Sequence, residues 1–104
     1  MSIRGPRVAV RDNPEELRYE LVVDGEVAGE IRYRRSPDRI VLVHTEVSPS
    51  LEGQGLASRL VAGALDDIRA RGLRVVPICP FVRAYIGRHP EYNDLVTGDL
   101  QVSD

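Results

Sequence analysis

The residues of this sequence best suited to chemistry are His44, Glu46 and Cys79. His44 and Glu46 lie two positions apart in a stretch with strand character, so their side chains point to the same face. An imidazole that titrates near neutral pH is suited to act as a general base, and a neighbouring carboxylate can orient or polarise it. The structural alternatives are a hydrogen bond within the sheet for His44 and simple solvation for Glu46.

Cys79 follows a short apolar strand and precedes a helix. The positive end of a helix lowers the pKa of a thiol, which makes Cys79 a candidate nucleophile. The alternative is a small buried residue, a common environment for free cysteine. His44, Cys79 and His89 include no close ligand pair such as C-x-x-C, so we predict no metal site.

Residues 47–57 place a strand end, a glycine turn and a helix start in succession. Gly53 and Gly55 permit close backbone approach and φ values closed to other residues. The unpaired N–H groups and positive dipole of a helix start can receive a phosphate or pyrophosphate. An ordinary strand-to-helix turn is the alternative. The chain has no lysine for a G-x-x-x-x-G-K-[ST] loop, and Ser58 stands where the dinucleotide fingerprint requires glycine.

Hydrophobic periodicity predicts the elements that must position these residues. The Asp24-Gly25 pair is a hairpin signal, and Gly72 is suited to cap the first helix at its C-terminus. The predicted strands lie at about residues 7–11, 17–23, 27–33, 39–47 and 73–78, and the predicted helices at about 56–71 and 81–88. A helix separates the last two strands, which are therefore expected to be parallel neighbours. The fold class is α+β: a mixed sheet with antiparallel strands first, then a β-α-β crossover and a short C-terminal helix.

Composition indicates one globular domain over residues 1–104, with a core at about 8–96. No apolar stretch is long enough to cross a membrane and no secretory signal is visible. A formal net charge of −2 gives no electrostatic footprint for nucleic acid. A single cysteine fits a reducing compartment, so we expect a cytoplasmic protein.

Several motifs together resemble a known family. The stretch Gly53-Gln54-Gly55-Leu56-Ala57 resembles the pyrophosphate loop of GNAT N-acetyltransferases, [Q/R]-x-x-G-x-[G/A], although Glu52 stands where that family usually has Arg or Gln. A small single-domain branch of the superfamily also carries the motifs His-Thr-Glu-Val, Glu-Gly-x-Gly, Cys-Pro-x-Val and His-Pro-Glu-Tyr. Here they begin at His44, Glu52, Cys79 and His89. The resemblance covers roughly residues 8 to 96.

The resemblance implies a GNAT-like fold and an N-acetyltransferase that moves an acetyl group from acetyl-CoA to an unidentified primary amine. It implies that the pantetheine arm lies between the strands ending near Val47 and Ile78, where it pairs with the backbone around Thr45. His44, Glu46 and Cys79 would converge on the thioester, and Tyr85 could protonate the departing sulfur. The implied residues of the CoA site are Thr45, Val47, Gly53, Gln54, Gly55, Leu56, Ala57, Ser58 and Tyr85.

Two other functions are compatible with these residues. One is a module that binds CoA or acyl-CoA with little or no catalytic activity, and the other is a phosphate- or nucleotide-binding protein unrelated to CoA. The acceptor amine is a small molecule or a protein, and we expect a monomer or a weak homodimer. No metal, nucleic acid or membrane is expected as a partner.

Overall fold

The computed structural model describes residues 7–97, which form a five-stranded sheet and two helices. The strands are β1 (Val8–Asn13), β2 (Arg18–Val23), β3 (Glu26–Arg35), β4 (Arg39–Val47) and β5 (Arg74–Pro77). The helices are α1 (Leu56–Ala70) and α2 (Pro80–Arg88), and short 3-10 turns occupy Pro49–Leu51 and Pro90–Leu95. None of the described helices is both long and apolar enough to span a membrane.

The strands lie in the sheet in the order of the chain, β1 to β5. The first four pair antiparallel, and β5 pairs parallel to β4 after the α1 crossover. The β2–β3 hairpin turns at Asp24 and Gly25, which both have positive φ (52° and 87°), as the sequence predicts. The α+β class, with antiparallel strands before a β-α-β unit, is confirmed.

The hydrophobic core lies between one face of the sheet and the helices. On β2, β3 and β4 the buried apolar side chains alternate along each strand, and α1 contributes its apolar stripe. The largest fully buried apolar side chains are Tyr19, Leu21, Ile31, Ile40, Leu42, Leu60, Leu65 and Ile68. We call this side of the sheet the core face and the opposite side the open face.

The open face carries a ladder of charged residues on β1, β2 and β3. The Glu20 carboxylate accepts hydrogen bonds from Asn13 (2.9 Å), Arg11 (2.7 Å) and Arg18 (2.8 Å), and these partners leave it only 1% exposed. The hydrogen bond from Asn13, supported by those from Arg11 and Arg18, lowers the pKa of Glu20 to about 2. Glu30 extends the ladder by bonding Arg18 and Arg32.

A β-bulge in β4 determines which residues of its second half face the core. Tyr33 pairs with Leu42, but Arg32 pairs with His44, so Val43 has no counterpart in β3. The extra residue reverses the alternation of side chains. Leu42 and Thr45 therefore share the core face, whereas His44 lies on the open face.

Candidate functional site

The site begins where β4 and β5 separate. Their pairing ends at Leu42 and Pro77, and the last bond between the two segments runs from the Cys79 amide to the Leu42 carbonyl (2.9 Å). Within the described part of the chain, residues 44–47 pair with β3 alone, and neither they nor Val43 pairs with β5. An open strand edge of five residues results, which we call the wedge. Such an edge offers backbone groups to an extended ligand.

The glycine loop lies immediately beyond the end of β4. Gly53 and Gly55 have φ values of 84° and 74°, and Gly55 is the N-cap residue of α1 in the left-handed conformation. No side chain caps this helix, and the amide of Arg59 donates to the Gly55 carbonyl (3.2 Å). The three preceding amides, at positions 56–58, are consequently free of the α-helical hydrogen-bond pattern. No acidic residue occupies the first turn, so the helix dipole is available to an anion.

A groove of about 210 Å³ lies against this loop. The residues that line it are Val47, Leu51, Glu52, Gly53, Gly55, Leu56, Ala57, Ser58 and Phe81. Most of the residues expected to bind the cofactor are thus brought together, whereas Gln54, Thr45 and Tyr85 do not line this groove. Phe81 was not identified from sequence, although it is the only phenylalanine of the chain and the second residue of α2. It contributes an aromatic side chain to the lining of this groove.

His44 and Glu46 lie together on the open face. Their side chains are 60% and 72% exposed, and Nε2 of His44 is 3.5 Å from Oε1 of Glu46. A carboxylate at this distance can orient the ring of an imidazole that accepts a proton. The pair predicted from sequence is therefore present, and it is accessible to solvent.

Cys79 lies on the other side of the sheet from His44, so the expected convergence of His44, Glu46 and Cys79 is wrong for the side chains as they stand. Cys79 is the N-cap residue of α2 and is 3% exposed, with its sulfur 3.2 Å from the Thr45 hydroxyl. The physical reason is the bulge at Val43, which directs Thr45 towards Cys79 and His44 away from it.

Tyr85 lies on α2 with its ring stacked on His89 at a centroid distance of 4.1 Å. Burial raises the pKa of its hydroxyl, and the negative charges of Glu91 and Asp66 raise it further. All buried side-chain nitrogen and oxygen atoms of the described residues are hydrogen-bonded, and the Tyr85 hydroxyl has no partner there. That hydroxyl therefore reaches the surface in its protonated form.

A second groove, of about 270 Å³, lies at the β3 side of the β4 terminus. It shares Val47 with the first groove, and Glu30 and Glu46 are among the residues that line it. Gly29 is essential to its shape, since a Cβ atom there would lie 3.0 Å from the Glu46 carbonyl oxygen. Within residues 7–97 no three His, Cys, Asp or Glu side chains are grouped so as to hold a metal ion.

Comparison with known proteins identifies a family and similar solved structures. A family model described as GCN5-related N-acetyl-transferase matches residues 18–95. The solution structure of a GCN5-like protein from Staphylococcus aureus, itself a proposed N-acetyltransferase, is similar with a TM-score of 0.65 and 25% sequence identity. The match covers 86% of this chain and 88% of that one.

Proposed function

Because this chain belongs to the GCN5-related N-acetyltransferase family, we propose that it transfers the acetyl group of acetyl-CoA to a primary amine. The observation that carries the proposal is the uncapped start of α1 beside the wedge. An anion receptor and an open strand edge lie end to end there, which suits a ligand with a pyrophosphate at one end and an amide-bearing arm at the other.

The glycine loop fits the pyrophosphate. Its free amides at positions 56–58 and the positive end of α1 attract negative charge, and the glycines at 53 and 55 leave no side chain over the backbone. The backbone amides would bind the pyrophosphate. Glu52, which stands where the family usually has Arg or Gln, therefore leaves the number of these amides unchanged. In the proposed complex Thr45 and Val47 pair with the pantetheine amides, and Phe81 covers the arm.

Acetyl-CoA supplies an activated thioester carbonyl. A lysine-like amine has a pKa of about 10.4 and must lose a proton before it can attack. We propose His44 as the base that takes this proton, with Glu46 orienting its ring. In the balanced reaction the amine nitrogen bonds to the carbonyl carbon, the carbon–sulfur bond breaks, and CoA leaves as a thiol. Tyr85 is the proposed donor of the proton that the sulfur gains.

The alternative mechanism is a covalent route through Cys79. Its sulfur would attack the carbonyl carbon and release CoA, and the amine would then take the acetyl group from the new thioester. The placement of the side chains favours direct transfer, because His44 and Glu46 are exposed while Cys79 is buried behind Thr45.

Thermal unfolding with acetyl-CoA, CoA, ATP or NAD tests the cofactor. A ligand at 100 times its Kd adds about 2.7 kcal/mol of stability, and each kcal/mol shifts the Tm of a domain of this size by about 4–8 °C. We expect stabilisation by the CoA compounds and not by ATP, which has phosphates but no pantetheine arm. No shift with either CoA compound would overturn the assignment. A shift without acetyl transfer to any primary amine in a screen would instead indicate a CoA-binding module.

A further inference from the structure

The Cys79 sulfur lies in an unusual place for a core cysteine. The Cys79 amide donates the last backbone hydrogen bond between the segment after β5 and β4. The Cys79 side chain therefore lies at the point where the wedge opens. It is also the N-cap residue of α2, yet its side chain makes no capping bond. The sulfur is instead directed across the opening towards β4.

The partner that it meets there is a hydroxyl and not an imidazole. Thr45 Oγ1 is 3.2 Å from Cys79 Sγ. Among residues 7–97 no charged side chain forms an ion pair or hydrogen bond with this sulfur. Without the bulge, side chains would alternate regularly from Leu42 and His44 would lie on the core face. Because of the bulge at Val43, Thr45 lies there instead.

We infer that Thr45 is a positioning residue for Cys79: its hydroxyl holds the sulfur at the mouth of the wedge and stabilises the thiolate form. A hydroxyl can donate to a thiolate, and hydrogen bonds to charged groups are stronger than those between neutral groups. Any effect of this contact on acetyl transfer rests on the proposed function. Its effect on the thiol does not, because the Thr45–Cys79 contact is present without a ligand. His44 is left free to serve the acceptor from the opposite face.

The test is a titration of the single thiol without any ligand, followed by the ultraviolet absorbance of the thiolate. Cys79 is the only cysteine, and Cys79→Ala provides the baseline. Burial raises the pKa of all four tyrosines above its usual value, and subtraction of the Cys79→Ala baseline removes what their ionisation adds to the absorbance. Thr45→Val keeps the shape and removes the hydroxyl, whereas Thr45→Ser keeps the hydroxyl.

We expect the titration midpoint of Thr45→Val to rise by about one pH unit, a tenfold change in the ionisation constant. Thr45→Ser and His44→Ala should both stay close to the unaltered protein. If valine at position 45 prevents folding, Thr45→Ala replaces it in the same comparison. A midpoint that shifts in His44→Ala but not on removal of the hydroxyl would overturn the inference, and so would equal shifts in the serine and valine variants.

A kinetic measurement separates this inference from the proposed function. If acetyl transfer follows the covalent route through Cys79, Thr45→Val should displace the pH profile of kcat in the same direction as the thiol midpoint, and Thr45→Ser should restore it. Under direct transfer the pH profile of kcat should be the same in both variants. Absence of acetyl transfer would count against the proposed function alone, because the ligand-free titration would still decide the pairing of Thr45 with Cys79.

Discussion

Gly63, in the middle of α1, lies directly against Val10 of β1, and a Cβ atom at position 63 would be 2.7 Å from the Cβ and Cγ2 atoms of Val10. The contact lets the helix approach the edge strand of the sheet. The neighbouring atoms belong to a short branched side chain, which cannot move aside without a shift of the backbone.

Gly63→Ala should therefore destabilise the protein although alanine favours helices. Overpacking costs about 1–3 kcal/mol and the gain in helix propensity is about 1 kcal/mol, so we expect a net loss of about 1 kcal/mol. Gly87→Ala in α2 is the matched control, since no heavy atom lies within 4 Å of its Cβ position. That variant should be as stable as the unaltered protein or more so. Equal urea midpoints for the two variants would show that β1 moves to accommodate the methyl group.

Gly55→Val should abolish binding of CoA while the protein stays folded. The φ of 74° at this N-cap position is unfavourable for a branched residue, and the side chain would stand beside the free amides. Gly72→Val is the control, because Gly72 has a similar φ of 72°, also has open space around its Cβ position, and lies at the far end of α1. Both variants should lose similar stability, on the order of 1–2 kcal/mol. The affinity for CoA is measured by calorimetric titration. An equal loss of affinity in the two variants would refute the assignment of the loop as the pyrophosphate site.

Glu20→Gln should destabilise the protein at neutral pH, and its effect should fade in acid. The folded-state pKa of Glu20 is lowered to about 2, so the carboxylate contributes stability above its ordinary pKa and loses it as the pH falls. We expect a loss of about 1–3 kcal/mol at pH 7, which shrinks between about pH 5 and pH 2. Urea unfolding of both proteins across this range measures it. A pH-independent difference would mean that the charge of Glu20 contributes nothing.

His44→Ala should lower kcat by about 10²- to 10⁴-fold, the usual contribution of a general base. The affinity for CoA should change little, because His44 lies on the open face and lines neither groove. Glu46→Gln should have a smaller effect on kcat, since the amide can still accept a hydrogen bond from the ring. Equal losses of kcat and CoA affinity in His44→Ala would indicate a structural role.

Incubation with acetyl-CoA, followed by intact mass measurement, decides between the two routes. Direct transfer predicts no acetyl group on the enzyme, whereas the covalent route predicts one that is labile to hydroxylamine and absent in Cys79→Ala. The chain has no lysine, so the N-terminal amine is the main competing site and retains its acetyl group in hydroxylamine. A labile acetyl group on Cys79 would contradict the direct route.

The sequence was sufficient for the fold because its signals are local. Asp24-Gly25 dictates a hairpin with positive φ, and Gly72 adopts the left-handed conformation expected beyond the end of α1. The apolar stretch in β4 and the helical spacing after Leu56 identify the crossover. Each of these features depends on residues within one element.

The parts of the site that were missed depend on contacts between elements. The bulge at Val43 has no compositional signature, yet the pairing register that it sets in this sequence brings Thr45 and not His44 to Cys79. The contribution of Phe81 depends likewise on how α2 is placed beside the glycine loop. The glycines of that loop could be identified because backbone conformation restricts their own positions.

The bulge also makes the second half of β4 tolerant of a small genetic change. Val43 is the residue without a counterpart in β3, so deletion of its single codon would leave Leu42 opposite Tyr33 and His44 opposite Arg32. His44 and Thr45 would keep their present faces, so the loss of three nucleotides would straighten the strand without exchanging the side chain that meets Cys79.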